Sequence, residues 1–184
     1  TRELCTLYAR HKKGGFSRGA FLRDAAALEG VYVPSFYEPV YNEDGTIREI
    51  AVRREGAPAV VKKRIVENFD AEQTVQKPVL PYINTVHDRC TLEIMRGCPR
   101  GCRFCQAGFA MRPVRERRAE TVRAAARNVI AATGYDEISL SSLSSGDYSQ
   151  IDELVSGLVE EFSAQRVSVS LPSLRIDSFE KDLA

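Results

Sequence analysis

The feature that most constrains this chain is a group of three cysteines, Cys98, Cys102 and Cys105, which falls within eight residues. Their spacing alone would place the three thiols on one face of a helix. Pro99, however, removes a backbone amide donor and Gly101 favours turn geometry, so the segment is predicted to be a loop. A loop can wrap its thiolates around one centre, which makes a metal site the first functional hypothesis.

The kind of centre follows from the number of thiolates. Iron–sulfur clusters are held by cysteine thiolates, commonly four to a cluster. Because the local set has three, a four-iron cluster would keep one iron open to a small molecule, as a catalytic zinc site keeps an open position. Zinc is one alternative, with His87 as the candidate fourth ligand. A disulfide pair is another, although an odd count of five cysteines in 184 residues does not suit a disulfide framework.

The two remaining cysteines are predicted to lie outside the site. Cys90 precedes a predicted strand, and about six extended residues at roughly 3.3 Å each would hold it on the order of 20 Å from Cys98. It is therefore expected to be a buried thiol. Cys5 lies in a predicted helix and is expected to be a small core residue.

Composition excludes some classes of protein. The chain is 43% hydrophobic and 28% charged, with 26 basic and 25 acidic residues and a net charge of +1. A net charge this close to zero does not indicate electrostatic attraction to nucleic acid. The sequence also lacks the roughly 20 consecutive apolar residues that a membrane span needs. A reduced cytosol suits free thiols, so a cytoplasmic location is expected. Because the chain opens on Thr1 and closes inside a predicted helix, it is expected to be a fragment.

Residues 1–85 are predicted to form a helical and β-meander linker region. Helices are expected over residues 2–11 and after Ser17, an N-cap flanked by a Phe16–Phe21 hydrophobic staple, with Gly30 ending the second helix. Strands are expected over 36–41 and 47–52 around a turn at 42–45, with a third over 60–66. Residues 70–85 are expected to be an extended connector.

Residues 86–184 are predicted to alternate strands and helices. Strands are expected over 91–95, 137–143 and 166–171, and a helix over 119–133 that stops at Gly134. Ser149 with Asp152 resembles a capping arrangement that opens a second helix, and a third is expected from Ser178 onward. This order implies an α/β fold with a parallel sheet.

Three loops follow the carboxyl ends of these strands, where functional loops of such folds cluster. They are the cysteine segment, residues 144–147 and residues 172–177, and their shared rim is the predicted active site.

A Cys-x3-Cys-x2-Cys loop with Phe104 before its last cysteine resembles the signature of radical S-adenosylmethionine (SAM) enzymes. More narrowly, residues 93–108, 112–117 and 30–37 are similar to a bacterial family of radical SAM proteins with an upstream cobalamin-binding-type domain. The resemblance implies a partial (β/α)6 barrel, of which this chain would hold the first half.

The resemblance also implies a mechanism and partners. A [4Fe–4S] cluster on Cys98, Cys102 and Cys105 would bind SAM and cleave it reductively to a 5′-deoxyadenosyl radical. Phe104 would lie beside the adenine, or else serve as an ordinary packing residue. The resemblance further implies an electron donor such as flavodoxin or ferredoxin, and an unknown substrate in methyl or sulfur transfer. It also implies that the parent protein uses cobalamin. The competing hypothesis is an iron–sulfur electron-transfer or sensor module without SAM chemistry.

The SAM contacts are less defined, because residues 144–147 replace the Gly-Gly-Glu type motif of many family members. Asp147 is a candidate acceptor for the SAM ammonium, with Ser144 or Ser145 sharing that role, or else a helix cap. In the next loop, Arg175 is a candidate clamp for the SAM carboxylate or a surface ion-pair partner, and Ser173 is a further candidate contact.

A basic run follows the cysteine segment: Arg112, Arg115, Arg117 and Arg118. It is a candidate contact for RNA phosphates, although a solvated face is the ordinary interpretation and no aromatic residues alternate with the arginines. His11 lacks the Asp-x-His-x-x-Gly context of a cobalamin ligand, so no cobalamin ligand is predicted in this segment.

Overall fold

The computed structural model describes residues 1–72, 74–83 and 85–178, in two compact units, Thr1–Ile65 and Val66–Ala184. The division falls after Ile65, whereas the predicted linker region extends to residue 85. Phe69 explains the difference, because its ring is 2% exposed beneath guanidinium groups of the second unit. Within the described residues, no helix is both long enough and apolar enough to cross a membrane.

The first unit opens with helices α1 (Arg2–Lys13) and α2 (Arg18–Ala26). Ser17 caps α2 by accepting a hydrogen bond from the Ala20 amide, which confirms the predicted N-cap. The Phe16 and Phe21 rings lie 6.0 Å apart between centroids, as the staple requires. Helix α2 ends four residues before Gly30, which instead takes a left-handed φ of +80° in the following turn.

The prediction that Cys5 is a core residue is wrong. Cys5 is exposed on α1, a helix with no buried residue, so it is not a core residue. The expectation rested on the usual burial of free cysteines, but α1 is polar and has no buried residue against which Cys5 could pack.

A two-stranded hairpin completes the first unit, with β1 (Tyr37–Tyr41) antiparallel to β2 (Ile47–Val52). In its turn the Asp44 carboxylate accepts a hydrogen bond from the Thr46 amide at 2.9 Å, which confirms the predicted turn. The predicted third strand over 60–66 is wrong. Val60 is 73% exposed and Arg64 pairs with the Glu3 carboxylate, so this segment is held by side chains rather than by a ladder.

The second unit contains a parallel three-stranded sheet, as predicted. Its strands β3 (Cys90–Glu93), β6 (Glu137–Ser141) and β7 (Ser168–Ser170) lie in that order, with Cys90 opposite Ile138 and Ile138 opposite Val169. The first predicted strand is divided, because β4 (Met95–Arg96) leaves the sheet and pairs antiparallel with β5 (Arg115–Glu116). The second and third strands are shorter than predicted.

Helices cover the sheet. Helix α4 (Ala119–Thr133) has the predicted bounds and ends at Gly134 with φ +73°, and it packs against β3. Helix α5 (Ile151–Phe162) packs against β7, while α3 (Ala107–Ala110) is a single turn. The Ser149 cap is wrong, because the Ser149 hydroxyl donates to the Glu116 carboxylate instead. The helix predicted from Ser178 onward falls largely outside the described residues.

The core lies between the sheet and these helices. Ile94, Ile138, Leu140, Leu154 and Leu158 are fully buried. Each such side chain contributes about 1.5–3 kcal/mol relative to exposure. This core supports the strand ends that carry the candidate site.

Cys90 belongs to the same core. It is 2% exposed, which confirms the predicted buried thiol, and burial raises its pKa to about 11. A thiol of this kind is inert at neutral pH.

Candidate iron–sulfur and SAM site

The three candidate ligands lie on one closed loop. The pairing of β4 with β5 joins the two ends of residues 97–114, which we call the cysteine loop. Cys98 is buried, Cys102 and Cys105 are partly exposed, and none is in a disulfide. The Cys105 amide donates to the Cys102 carbonyl at 3.0 Å, so these two residues share a turn. The predicted loop, rather than a helix through the cysteines, is confirmed.

Two glycines set the path of this loop. Gly97 has φ +87°, and a Cβ there would lie 2.7 Å from the Pro113 carbonyl oxygen and 2.8 Å from that of Met111. At Gly108 a Cβ would lie 2.5 Å from the Arg100 carbonyl oxygen. Both contacts are with backbone, which cannot rotate away, so the loop is packed tightly against itself.

Asp147 lies in the loop after β6 and is bound by the cysteine loop. Its carboxylate accepts hydrogen bonds from Arg100 Nε at 2.9 and 3.0 Å and from the Ser144 hydroxyl at 2.8 Å. The hydrogen bond from Arg100 is the main reason that the pKa of Asp147 is lowered. The structure therefore places this predicted site residue in an ion pair, and it shows no role for its carboxylate as a helix cap.

Arg175 reaches the cysteine loop from the loop after β7. Its Nη1 lies 3.5 Å from Cys102 Sγ, and its Nε and Nη2 each donate to the Asp177 carboxylate at 2.8 Å. The hydrogen bond with Asp177 raises the pKa of Arg175 and lowers that of Asp177. Arg175 also lowers the pKa of Asp147 through space. Two guanidiniums and two carboxylates thus share one edge of the sheet beside Cys102.

The serines of the two loops hold those loops together. Ser145 is fully buried, and its hydroxyl donates to the Pro172 carbonyl at 2.7 Å. The Ser145 amide donates to the Ser173 carbonyl at 3.3 Å, and Ser173 takes a left-handed φ of +63°. Ser144 is 2% exposed. The predicted candidates Ser144, Ser145 and Ser173 are therefore brought together at the shared rim.

Phe104, one of the predicted site residues, extends into solvent. Its side chain is 92% exposed, so it is not part of the packing of the cysteine loop. The ordinary alternative to a ligand contact, a buried packing role, is excluded by this exposure.

The arrangement of the thiols distinguishes a single zinc ion from a [4Fe–4S] cluster. Across residues 1–72, 74–83 and 85–178, no three His, Cys, Asp or Glu side chains converge closely enough to hold a single metal ion. His87, the candidate fourth zinc ligand, lies 3.2 Å from the Arg89 guanidinium. A [4Fe–4S] cluster distributes its thiolates over several irons, so three free thiols on one loop fit it better than they fit zinc.

The basic run forms a solvated face only in part, because Arg112 and Arg118 are exposed whereas Arg117 is buried. Arg117 is 3% exposed, with its guanidinium 4.2 Å from the Phe69 ring centroid, and it donates to the Glu72 carbonyl at 2.7 Å. Burial lowers its pKa. Arg118 pairs with Asp70 at 2.7 Å. Two of the four arginines therefore fasten residues 69–72 to this unit, which counts against an RNA-binding patch.

Sequence reasoning missed Arg100 and Asp177 as members of the site. Arg100 lies between two candidate ligands, but nothing in its spacing indicated that it pairs with a carboxylate 47 residues away. Asp177 had a local signal, because it stands two residues after Arg175 on the same loop.

Comparison with known proteins agrees with this assembly of loops. The family profile described as the Radical SAM superfamily matches residues 92–184. The chain is also 37% identical over 92 residues to an uncharacterized protein of Methanocaldococcus jannaschii, an alignment that covers 50% of this chain and 20% of that protein. The chain thus spans about a fifth of the length of this curated relative. The matched region contains the cysteine loop, both neighbouring loops and all of the sheet except the first two residues of β3. The chain therefore belongs to the radical SAM superfamily, whose members are enzymes that generally use a [4Fe–4S] cluster and SAM.

Proposed function

We propose that this chain carries the cluster-binding part of a radical SAM enzyme, with Cys98, Cys102 and Cys105 as the three ligands of a [4Fe–4S] cluster. The observation that carries the proposal is the cysteine loop itself, which holds three free thiols at the carboxyl end of a parallel sheet. The family match over the same residues supports it.

The cluster, once bound with SAM, would supply a 5′-deoxyadenosyl radical by one-electron cleavage of a carbon–sulfur bond. The residues of this chain bind and orient SAM. Its amino-acid group is a zwitterion, and the rim offers both signs of charge, with Asp147 as acceptor for the ammonium and Arg175 as donor to the carboxylate. The SAM ammonium would compete with Arg100 for Asp147, and the carboxylate with Asp177 for Arg175.

The neighbouring residues support this arrangement. Ser144 donates to Asp147 and orients its carboxylate, while Ser145 and Ser173 join the two loops that carry Asp147 and Arg175. The exposed ring of Phe104 is free to cover the adenine.

The wider architecture and the partners are part of the same proposal. The three parallel strands lie side by side in the order in which they occur along the chain. This order supports the proposal that they are the first half of a partial (β/α)6 barrel. Flavodoxin or ferredoxin is the proposed electron donor and the cytoplasm the proposed location. The proposal of cobalamin in the parent protein rests only on the resemblance of residues 30–37, 93–108 and 112–117 to the bacterial family.

The test is iron and sulfide content after anaerobic reconstitution of the full-length protein. Wild type and Cys5→Ala, which removes an exposed thiol of α1, should bind about four irons per chain, the content of a [4Fe–4S] cluster. Cys102→Ala should lose most of them. Wild-type iron in the Cys102 variant would reject the ligand assignment, whereas zinc in place of iron in wild type would return the site to the zinc hypothesis.

A further inference from the structure

Arg112 lies where the end of the cysteine loop returns to its beginning. Its Nε donates to the Gly108 carbonyl at 2.8 Å, and its Nη2 donates to the Pro99 carbonyl at 3.0 Å, with the Arg100 carbonyl 3.5 Å away. One guanidinium thus bonds the backbone between the first two cysteines and the backbone after the third. These three carbonyls belong to parts of the loop that are otherwise separated by several residues.

The chemistry of arginine suits this position. A guanidinium presents its donors in a fixed planar fork, so Nε and Nη2 can bond different carbonyls without rotating. A lysine ammonium is a point charge on a flexible stem and lacks that preset geometry. The Arg112 guanidinium also lies 5.9 Å from the Phe109 ring centroid, which places an aromatic side chain of α3 beside it.

The two backbone segments that accept hydrogen bonds from Arg112 also lie close to each other. Gly108, whose carbonyl accepts a hydrogen bond from Arg112, could not carry a Cβ, because that atom would lie 2.5 Å from the Arg100 carbonyl oxygen. The two segments that Arg112 joins are therefore already in contact. The guanidinium supplies the donors that their carbonyl groups require at this contact.

We propose that Arg112 is a positioning residue that clasps the cysteine loop and fixes the arrangement of the three thiols before a cluster is bound. This inference rests on the proposed function for the role of the thiols, while the clasp itself concerns only contacts within the loop. The hydrogen bonds that Arg112 donates inward make it part of the loop's own structure rather than a phosphate contact.

The first test measures amide hydrogen exchange in the cluster-free, full-length protein. Arg112→Gln should accelerate exchange at the Cys105 and Met111 amides, which are bonded within the loop, on the order of tenfold, because charged donors are lost from several carbonyls. The matched control is Arg103→Gln, which removes an exposed arginine of the same loop that has no hydrogen bond among the described residues. The control should match wild type.

A second variant and an internal reference keep this test specific. Arg112→Lys preserves the charge but not the fork, so its loop should exchange faster than that of wild type and more slowly than that of the glutamine variant. Amides of α4 should be unchanged in every variant. Wild-type exchange in Arg112→Gln, full rescue by lysine, or equal acceleration in α4 would each overturn the clasp.

The second test uses the reconstituted holoprotein. Release of iron to an anaerobic chelator should be on the order of tenfold faster in Arg112→Gln than in Arg103→Gln, with a broadened electron paramagnetic resonance spectrum of the reduced cluster. Equal release and identical spectra would overturn the positioning role. If wild type bound no cluster, the proposed function would fail, and the exchange experiment would still decide whether Arg112 clasps the loop.

Discussion

Gly97→Ala is the substitution that tests the packing of the cysteine loop most severely. A left-handed φ costs an alanine about 1–2 kcal/mol relative to glycine. Its Cβ would also overlap the carbonyl oxygens of Pro113 and Met111, which lie 2.7 and 2.8 Å away, and overpacking of this kind costs about 1–3 kcal/mol. The sum is about 3 kcal/mol, which we expect to open the base of the loop where β4 pairs with β5.

The assay is amide exchange at Arg117, whose amide donates to the Ile94 carbonyl at 2.9 Å beside that base. At about 1.4 kcal/mol per tenfold, exchange should be about 100-fold faster in the variant. Gly101→Ala is the matched control, because the nearest atom to its Cβ is Phe109 Cζ at 3.8 Å, an ordinary contact. Exchange within threefold of wild type in Gly97→Ala, or equal acceleration in both variants, would refute the reasoning.

Three further substitutions or measurements test other parts of the structure. The folded pKa of Asp147 is lowered chiefly by Arg100, so its contribution to stability is present above its unfolded pKa near 3.8 and is lost as pH falls through the folded value. Acid unfolding of Asp147→Asn should therefore show a shallower loss of stability below about pH 5 than wild type, and equal slopes would contradict the ion pair. Because the pKa of Cys90 is raised to about 11, iodoacetamide at pH 8 should alkylate it on the order of 100-fold more slowly than exposed Cys5 in peptide mass spectra, and similar rates would contradict its burial. Arg117→Gln should lower the free energy of urea unfolding by about 2–3 kcal/mol, because it removes a charged donor from partly buried hydrogen bonds to backbone carbonyls, and a change below about 0.5 kcal/mol would show that this contact is dispensable.

The three strands of the parallel sheet and the two long helices of the second unit were predictable because they follow from local periodicity. Helix α4 has an apolar face at helical spacing and a glycine directly after its last turn, and both signals are local in the sequence. The split between β3 and β4 was not predictable. It depends on β5, which begins about twenty residues later and takes Met95 and Arg96 away from the sheet.

The predicted Ser149 cap and the predicted strand over residues 60–66 are wrong because both depend on partners that are distant in the sequence. The Ser149 hydroxyl bonds the carboxylate of Glu116 on β5 rather than its own helix. Residues 60–66 have the composition of a strand but find no neighbouring strand, and a strand without a ladder is not stable.

The candidate site was predictable as a set of loops and not as a set of contacts. Parallel strands place their following loops at one edge, so the cysteine loop and the loops after β6 and β7 were expected to meet. Which side chains pair there depends on three-dimensional distances that sequence spacing does not contain. The Arg100–Asp147 pair and the Arg112 clasp are two examples.

Electron paramagnetic resonance of the reduced, reconstituted full-length protein, recorded with and without SAM, decides whether the cluster binds SAM. A cluster held by Cys98, Cys102 and Cys105 keeps one iron for SAM, so we expect the signal to shift when SAM is added. A four-iron signal that SAM leaves unchanged would contradict radical SAM chemistry for this protein and favour an electron-transfer or sensor module.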